Sequence, residues 1–254
     1  MTVPSEGMND THTATHTHII GDIHGCADLL DRLMDTLSPS ADDALVFLGD
    51  YIDRGPDTPG VVNRLIALKE EHARTVFLRG NHEAMLLNFI GKEDHGHGDA
   101  YHLTSNGGIQ TLLQYGVPQE RVMPFKDDNR PPDRHITAHF TSFIPDTHVA
   151  FLEETRLMYA TDEVLCVHAG IRPGVPLEEQ VEEDVLWIRD PFLTRPHGRD
   201  ETVVYGHTPT YECGFMPRIE SEEKRIGLDT GAVYGGALTA LTLPDMSFTQ
   251  CPAE

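Results

Sequence analysis

At 254 residues the chain can build one large α/β domain or two small ones. A hydrophobic share of 39% supports a buried core, and no apolar run approaches membrane-spanning length. A net charge of −22, with four lysines against fifteen arginines, argues against binding DNA or RNA through the phosphate backbone, which needs a basic face. The acidic surplus reads as solubility, with no nucleic-acid and no membrane partner expected.

The start, MTVPSEGMNDTHTATHTH, has no basic segment followed by an apolar core, so neither signal peptide nor anchor is expected. Cys26, Cys166, Cys213 and Cys251 are widely spaced and form no C-x-x-C pair. They read as free thiols in a reducing compartment, and a cytoplasmic protein is expected. Residues 1–17, polar and rich in Thr and His, read as a disordered tail. His12, His16 and His18 there offer too little preorganisation for a functional metal site.

A regular alternation follows. HTHIIGD, about 16 to 22, reads as a strand and leads into CADLLDRLMDTL, where Leu29, Leu30, Leu33, Met34 and Leu37 share a helical face. ALVFLGD is a second strand, and PGVVNRLIALKEEH a second helix with a stripe of Val61, Val62, Leu65, Ile66 and Leu68. TVFLRG and HEAMLLNFI repeat the pair. Strands alternating with helices at this interval predict βαβ units and parallel strands.

Residues 91–135 are less regular and read as an inserted cap whose loops are too polar for the core, with one short helix in NGGIQTLLQYG. PDTHVAFLEET predicts a helix, and RLMYATDEVLCVHAG two strands around an Asp-Glu turn. TVVYGHTP and RIGLDTGAVYGGALTALTLPDMSFTQ predict further strands, so one domain spans 18–250.

Strand after strand breaks off into glycine and a polar cluster: GDIHG (21–25), GDYIDRG (49–55), GNHE (80–83), VHAG (167–170) and YGHTP (205–209). Ligands bind outside the carboxyl ends of parallel strands in open α/β sheets. That edge therefore collects Asp22, His24, Asp50, Asp53, Arg54, Asn81 and His82, with His168 and His207 from later strands. Taken singly each has an ordinary reading. Asp22 or Asn81 can cap a helix, Asp53 and Arg54 can pair in a turn, and His168 can be a core histidine. Together, carboxylates, an amide and imidazoles in one crevice need a cation to offset them. The donor mixture suits Mn, Fe or Zn better than Ca or Mg. One carboxylate can bridge two ions ~3.5–4 Å apart, as in dinuclear phosphoester hydrolases. Their charge beyond that offset by Asp22 and Asp50 matches a phosphate dianion.

In this order the five motifs resemble the metal-dependent phosphoprotein phosphatase superfamily of calcineurin-like metallophosphoesterases, nearest in style to its bacterial and lambda-phage members. The resemblance runs from about residue 17 to 248. It implies a fold of two β-sheets flanked by helices, an αββα sandwich, with the metal site at the sheet edge. It also implies two divalent ions, manganese first and iron or zinc as substitutes. Asp22 and His24 would hold one ion, Asn81, His168 and His207 the other, and Asp50 would bridge them. A hydroxide between the ions would attack phosphorus in line with the leaving oxygen. His82 would protonate that oxygen, with Asp53 orienting the ring and Arg54 binding phosphate oxygens. DVLWIRDPFL resembles the stretch that supplies a second phosphate-binding arginine, which points to Arg189, with Arg172 as the other candidate and a salt bridge to Asp190 as the plain reading. Trp187 reads as packing.

The leading expectation is a phosphatase acting on phosphoserine and phosphothreonine in proteins, with small phosphoesters as further substrates and a monomer by default. The alternative is a dinucleoside polyphosphate hydrolase. Symmetrically cleaving diadenosine tetraphosphatases resemble GDLVARG and GNHD here, whereas this chain keeps DRG and GNHE, which favours the protein-phosphatase branch. A non-catalytic phosphate reader or a nucleic-acid phosphodiesterase fits less well, because every expected ligand position is filled and the chain is acidic.

Overall fold

The computed structural model describes residues 14–92, 100–123 and 138–253. Most of the expected tail, with His12, lies outside the described residues, as do 93–99 and 124–135 of the expected cap. Order begins earlier than the tail reading allows. The Thr15 amide donates to Asp42 O, His16 to Asp43 Oδ1, and strand β1 opens at Thr17. His18 is buried and bonded to Thr242 Oγ1 at 2.9 Å.

Two five-stranded sheets form the centre. In the first, β1 (Thr17–Ile20), β2 (Ala44–Phe47) and β3 (Thr75–Phe77) run parallel, and β9 (Ala237–Leu243) and β10 (Ser247–Pro252) extend it antiparallel from β1. In the second, β5 (Val164–Val167), β6 (Thr202–Tyr205) and β8 (Arg225–Gly227) run parallel, flanked antiparallel by β4 (Met158–Ala160) and β7 (Arg218–Glu220).

The strands read as unbroken apolar runs because both of their faces are covered. Alternate residues sort into different cores. Ile19, Val46 and Leu48 meet Val164, Cys166, Val204 and Ile226 between the sheets. Ile20, Leu45 and Phe47 face outward onto the Leu29–Met34 face of α1 (Ala27–Leu37) and the Val61–Leu68 face of α2 (Thr58–Glu71). Leu165, Val167, Val203 and Tyr205 face outward on the other side onto Val185 and Leu186 of α8, Glu182–Trp187, in a segment the sequence reading left without an element. The result is the expected αββα sandwich. Helix α3 (Asn81–Phe89) joins the first helical layer, as does α7 (Asp146–Glu153), whose Val149, Phe151 and Leu152 enter the same core.

The described part of the insertion differs from a polar cap. It forms α4 (Ala100–Ser105), α5 (Gly108–Gln114) and α6 (Gln119–Val122), which bury Leu103, Leu112, Val117 and Val122 in the first core. Polar flanks hide these few apolar contacts in the sequence average. Helix α5 also braces the Asp53–Gly55 turn. Gln114 accepts from the Thr58 amide at 2.7 Å and donates to Gly55 O at 2.9 Å. Among the described residues, no helix is long and apolar enough to cross a membrane.

Candidate metal and phosphoester site

The carboxyl ends of the parallel strands in both sheets open onto one crevice. Asp22 and His24 follow β1; Asp50, Asp53 and Arg54 follow β2; Asn81 and His82 follow β3. His168 follows β5 and His207 follows β6. All the expected ligands are buried there: Asp22, His24, Asp50, Asn81, His168 and His207.

Sharp local backbone brings them inward. His24, Asp50, Asp53, Arg54 and His207 have φ between 46° and 70°, a region costly for side chains that carry a Cβ. Such strain costs roughly 1–3 kcal/mol per residue and persists only where the surroundings enforce it. Two glycines let backbone approach the carboxylates. A Cβ on Gly80 would overlap Asp50 Oδ1, and one on Gly206 would overlap Asp22 Oδ1.

Two groups of donor atoms share one carboxylate. His24, Asp50 and His82 place ligand atoms within 4.8 Å of one another, and Asp50, His168 and His207 do the same. Asn81 Oδ1 lies 2.9 Å from both His168 Nε2 and His207 Nδ1. Asp22 stands outside both triads. Its Oδ2 accepts the His207 amide at 2.9 Å, while its Oδ1 is buried without a partner, as is His207 Nε2. Buried polar atoms are normally bonded, so these orphans, with Asp50 shared between two groups, fit a pair of divalent cations. Arg54 Nη1 donates to His24 Nε2 at 2.6 Å, holding the lone pair that a metal would take.

The electrostatics separate the imidazoles. Burial lowers His24, His168 and His207 below the ordinary histidine value; His82 adds to this at His24, His168 and Arg189 add to it at His207. Burial thus favours the uncharged imidazole at these rings, the form that coordinates metals. His82 goes the other way. Burial pulls it down, but the Asp50 charge and the Asp53 hydrogen bond outweigh burial and raise it. Its Nδ1 lies 2.7 Å from Asp53 Oδ2, leaving Nε2 on the ring's far side to face the crevice, 3.8 Å from Asp50 Oδ2. Asp50 is pushed up by burial, yet four surrounding histidines hold it below the usual carboxylate range. Asp22 is driven well up by burial and by the charges of Asp229 and Asp50.

Three contributors were given no role at the site by the sequence. Glu83, the last residue of GNHE and an acidic residue in the first turn of α3, is fully buried. It accepts from the amides of Gly80, Asp50 and Tyr51 at 2.8–2.9 Å, tying the β2 and β3 turns together, and burial first, then Asp50, lifts it to about 7. Thr111 donates to Asp53 Oδ1 at 2.6 Å from α5. Asp229, buried after β8, is raised by burial to about 7. The strand–glycine rule that found the other clusters also covers GLDTG, so Asp229 had a signal; Thr111 had none.

The two candidate arginines now differ. Arg172 is engaged by Asp184, with Nε 2.7 Å from Oδ2. Arg189 is exposed, makes no ion pair with Asp190 among the described residues, and its charge reaches His168 and His207. Trp187 packs between two core clusters and meets His207 edge-on at 6.1 Å.

Comparison with known proteins agrees with this geometry. The profile of the calcineurin-like phosphoesterase family matches residues 15–230. A protein of Geobacillus thermodenitrificans named bis(5'-nucleosyl)-tetraphosphatase PrpE [asymmetrical] is 29% identical over 262 residues, covering 94% of this chain and 95% of its own. A relative of the same name from Bacillus thuringiensis is 29% identical over 260 residues, covering 93% and 94%. Among solved structures, one whose assignment as a diadenosine tetraphosphatase is itself provisional superposes with a TM-score of 0.68 at 24% identity, over 98% of this chain and 97% of that one. A protein serine/threonine phosphatase of Saccharomyces cerevisiae, similar to human PP5, gives 0.59 at 14% identity, over 99% and 85%. At these identities the structural likenesses establish the fold.

Proposed function

Because the chain belongs to the calcineurin-like phosphoesterase family, we propose that it hydrolyses dinucleoside polyphosphates of the diadenosine tetraphosphate type, cleaving them asymmetrically. It is a metal-dependent phosphoesterase; the substrate class is the proposal. The observation that carries it is the full-length similarity to relatives named for that activity. This reverses the preference for phosphoserine and phosphothreonine drawn from DRG and GNHE. The physical reason is that these motifs build an acid–histidine pair and a metal turn, which act at phosphorus whatever group lies beyond it.

The donor set supports the following roles. Asp22, His24 and Asp50 would hold one divalent ion, and Asp50, Asn81, His168 and His207 the other, with manganese, iron or zinc suited to these ligands. When bound, such ions supply Lewis-acid charge and an activated water. Arg54 and Arg189 bind the anionic oxygens, Arg54 through a planar fork. His82, whose protonated form is favoured by Asp50 and Asp53 against the pull of burial, donates from Nε2 to the departing oxygen. Thr111 and Glu83 hold the dyad and the Asp50 turn in place.

The test is product analysis with diadenosine tetraphosphate and manganese, beside a phosphoserine peptide. ATP with AMP is the expected product pair. Two ADP per substrate would mean symmetrical cleavage. Turnover of the peptide with no cleavage of the nucleotide would return the assignment to the protein-phosphatase branch.

A further inference from the structure

Beside the phosphate-binding Arg54 stands an aromatic ledge that the hydrolytic machinery does not use. Tyr211 opens a one-turn 3-10 helix, Tyr211–Cys213, four residues after His207. Tyr234 closes another, Ala232–Tyr234, five residues after Asp229. The Thr210 amide donates to Asp229 O at 2.9 Å and draws the two turns together. The Tyr211 and Tyr234 rings lie 5.8 Å apart, and both are exposed, by 53% and 42%. The Arg54 guanidinium carbon lies 5.8 Å from the Tyr234 ring centre.

Single exposed aromatics are ordinary on protein surfaces. This pair is different because it is braced. Phe215 meets Tyr211 edge-on at 5.3 Å and lies over Gly231 and Gly236, where a Cβ on either glycine would run into its ring. Leaving two rings in water on a rigid support makes sense where a flat ligand covers them, since preordered aromatics stack at low entropic cost. The position selects the ligand. A planar group on Tyr234 would be attached to a phosphate chain running past Arg54 towards Asp50.

We propose that Tyr211 and Tyr234 form a stacking site for a nucleobase of the polyphosphate substrate. The site deepens the dinucleoside polyphosphate reading and rests on it for its physiological meaning. The rings are tilted by 54°, so the base lies flat on one tyrosine and meets the other obliquely. Trp187, which the sequence reading placed in packing, is half-buried against both core clusters and stands apart from this pair.

The test compares ATP with inorganic tripolyphosphate as inhibitors of p-nitrophenyl phosphate hydrolysis at fixed free metal. The two share the polyphosphate, so the ratio of their inhibition constants isolates the nucleoside. In the wild-type protein ATP should bind ~10–100-fold more tightly, the scale of one base–aromatic stack. The ratio should fall to about 1 in Y211A/Y234A and persist in Y211F/Y234F, which keeps the rings and serves as the folding control. A wild-type ratio near 1, or an unchanged ratio in the alanine pair, overturns the site. This readout does not require diadenosine tetraphosphate to be cleaved. Failure of that cleavage with an intact ratio would remove the proposed reaction and leave the stacking site standing.

Discussion

Asp53 Oδ2 and His82 Nδ1 lie 2.7 Å apart, with both side chains essentially inaccessible to solvent. A buried carboxylate in this position favours the charged ring and turns its other nitrogen to the crevice. Replacing His82 by Ala should cost ~10²–10⁴-fold on an alkyl phosphoester, whose leaving oxygen needs a proton. The loss should be smaller on p-nitrophenyl phosphate and on diadenosine tetraphosphate, whose leaving groups depart as stable anions. Equal losses on all three substrates would contradict the acid role.

The same pair sets a pH dependence. His82 acts protonated and is raised above the ordinary histidine value, so activity on alkyl phosphoesters should fall as pH rises through its pKa. Asp53→Asn removes a charge that raises it, and the alkaline limb of the kcat/KM profile should move to lower pH. A limb that stays in place would show that a different group donates the proton.

The two arginines should respond differently. Arg189→Ala should lower kcat/KM by ~10–100-fold, as expected for a lost charged hydrogen bond of about 1.5–3 kcal/mol. Arg172→Ala removes the exposed end of a pair with Asp184 and should stay within about threefold, since surface ion pairs contribute little. Kinetics of the two variants side by side decide between them.

Net charge gives a prediction independent of the site. At −22 the protein repels polyphosphate over a Debye length of ~30 Å at 0.01 M salt but only ~8 Å at 0.15 M. The kcat/KM for diadenosine tetraphosphate should therefore rise across that range at saturating metal. A monotonic fall would mean that attraction by Arg54 and Arg189 outweighs the acidic surface.

The convergence of Asp22, His24, Asp50, Asn81, His82, His168 and His207 was legible because each lies in a glycine-containing cluster after a strand, and parallel strands carry their carboxyl ends to one edge. The βαβ units were legible from strands alternating with helical stripes, whereas the pairing of two sheets came from the family resemblance alone; in the structure neighbours such as Ile19 and Ile20 face opposite cores. Thr111 was not legible, because its contact with Asp53 spans 58 positions and depends on how α5 docks. Glu83 carried only the signal of a helix start, although it accepts from four amides of two turns. Tyr211 lay in a stretch left without an element and Tyr234 in one read as strand, where the 3-10 turns actually present leave little periodicity. For a chemical reason the DRG and GNHE motifs do not select a substrate class: the motif residues report on phosphorus, and the leaving group is met elsewhere.

The arrangement around Asp50 is the centre of the account, and metal content tests it most directly. Wild-type protein equilibrated with manganese and freed of excess should retain close to two ions per chain, and Asp50→Asn should lose affinity for both together. A single ion in the wild type, or a variant that releases one ion and keeps the other at full affinity, would contradict a carboxylate shared between two cations.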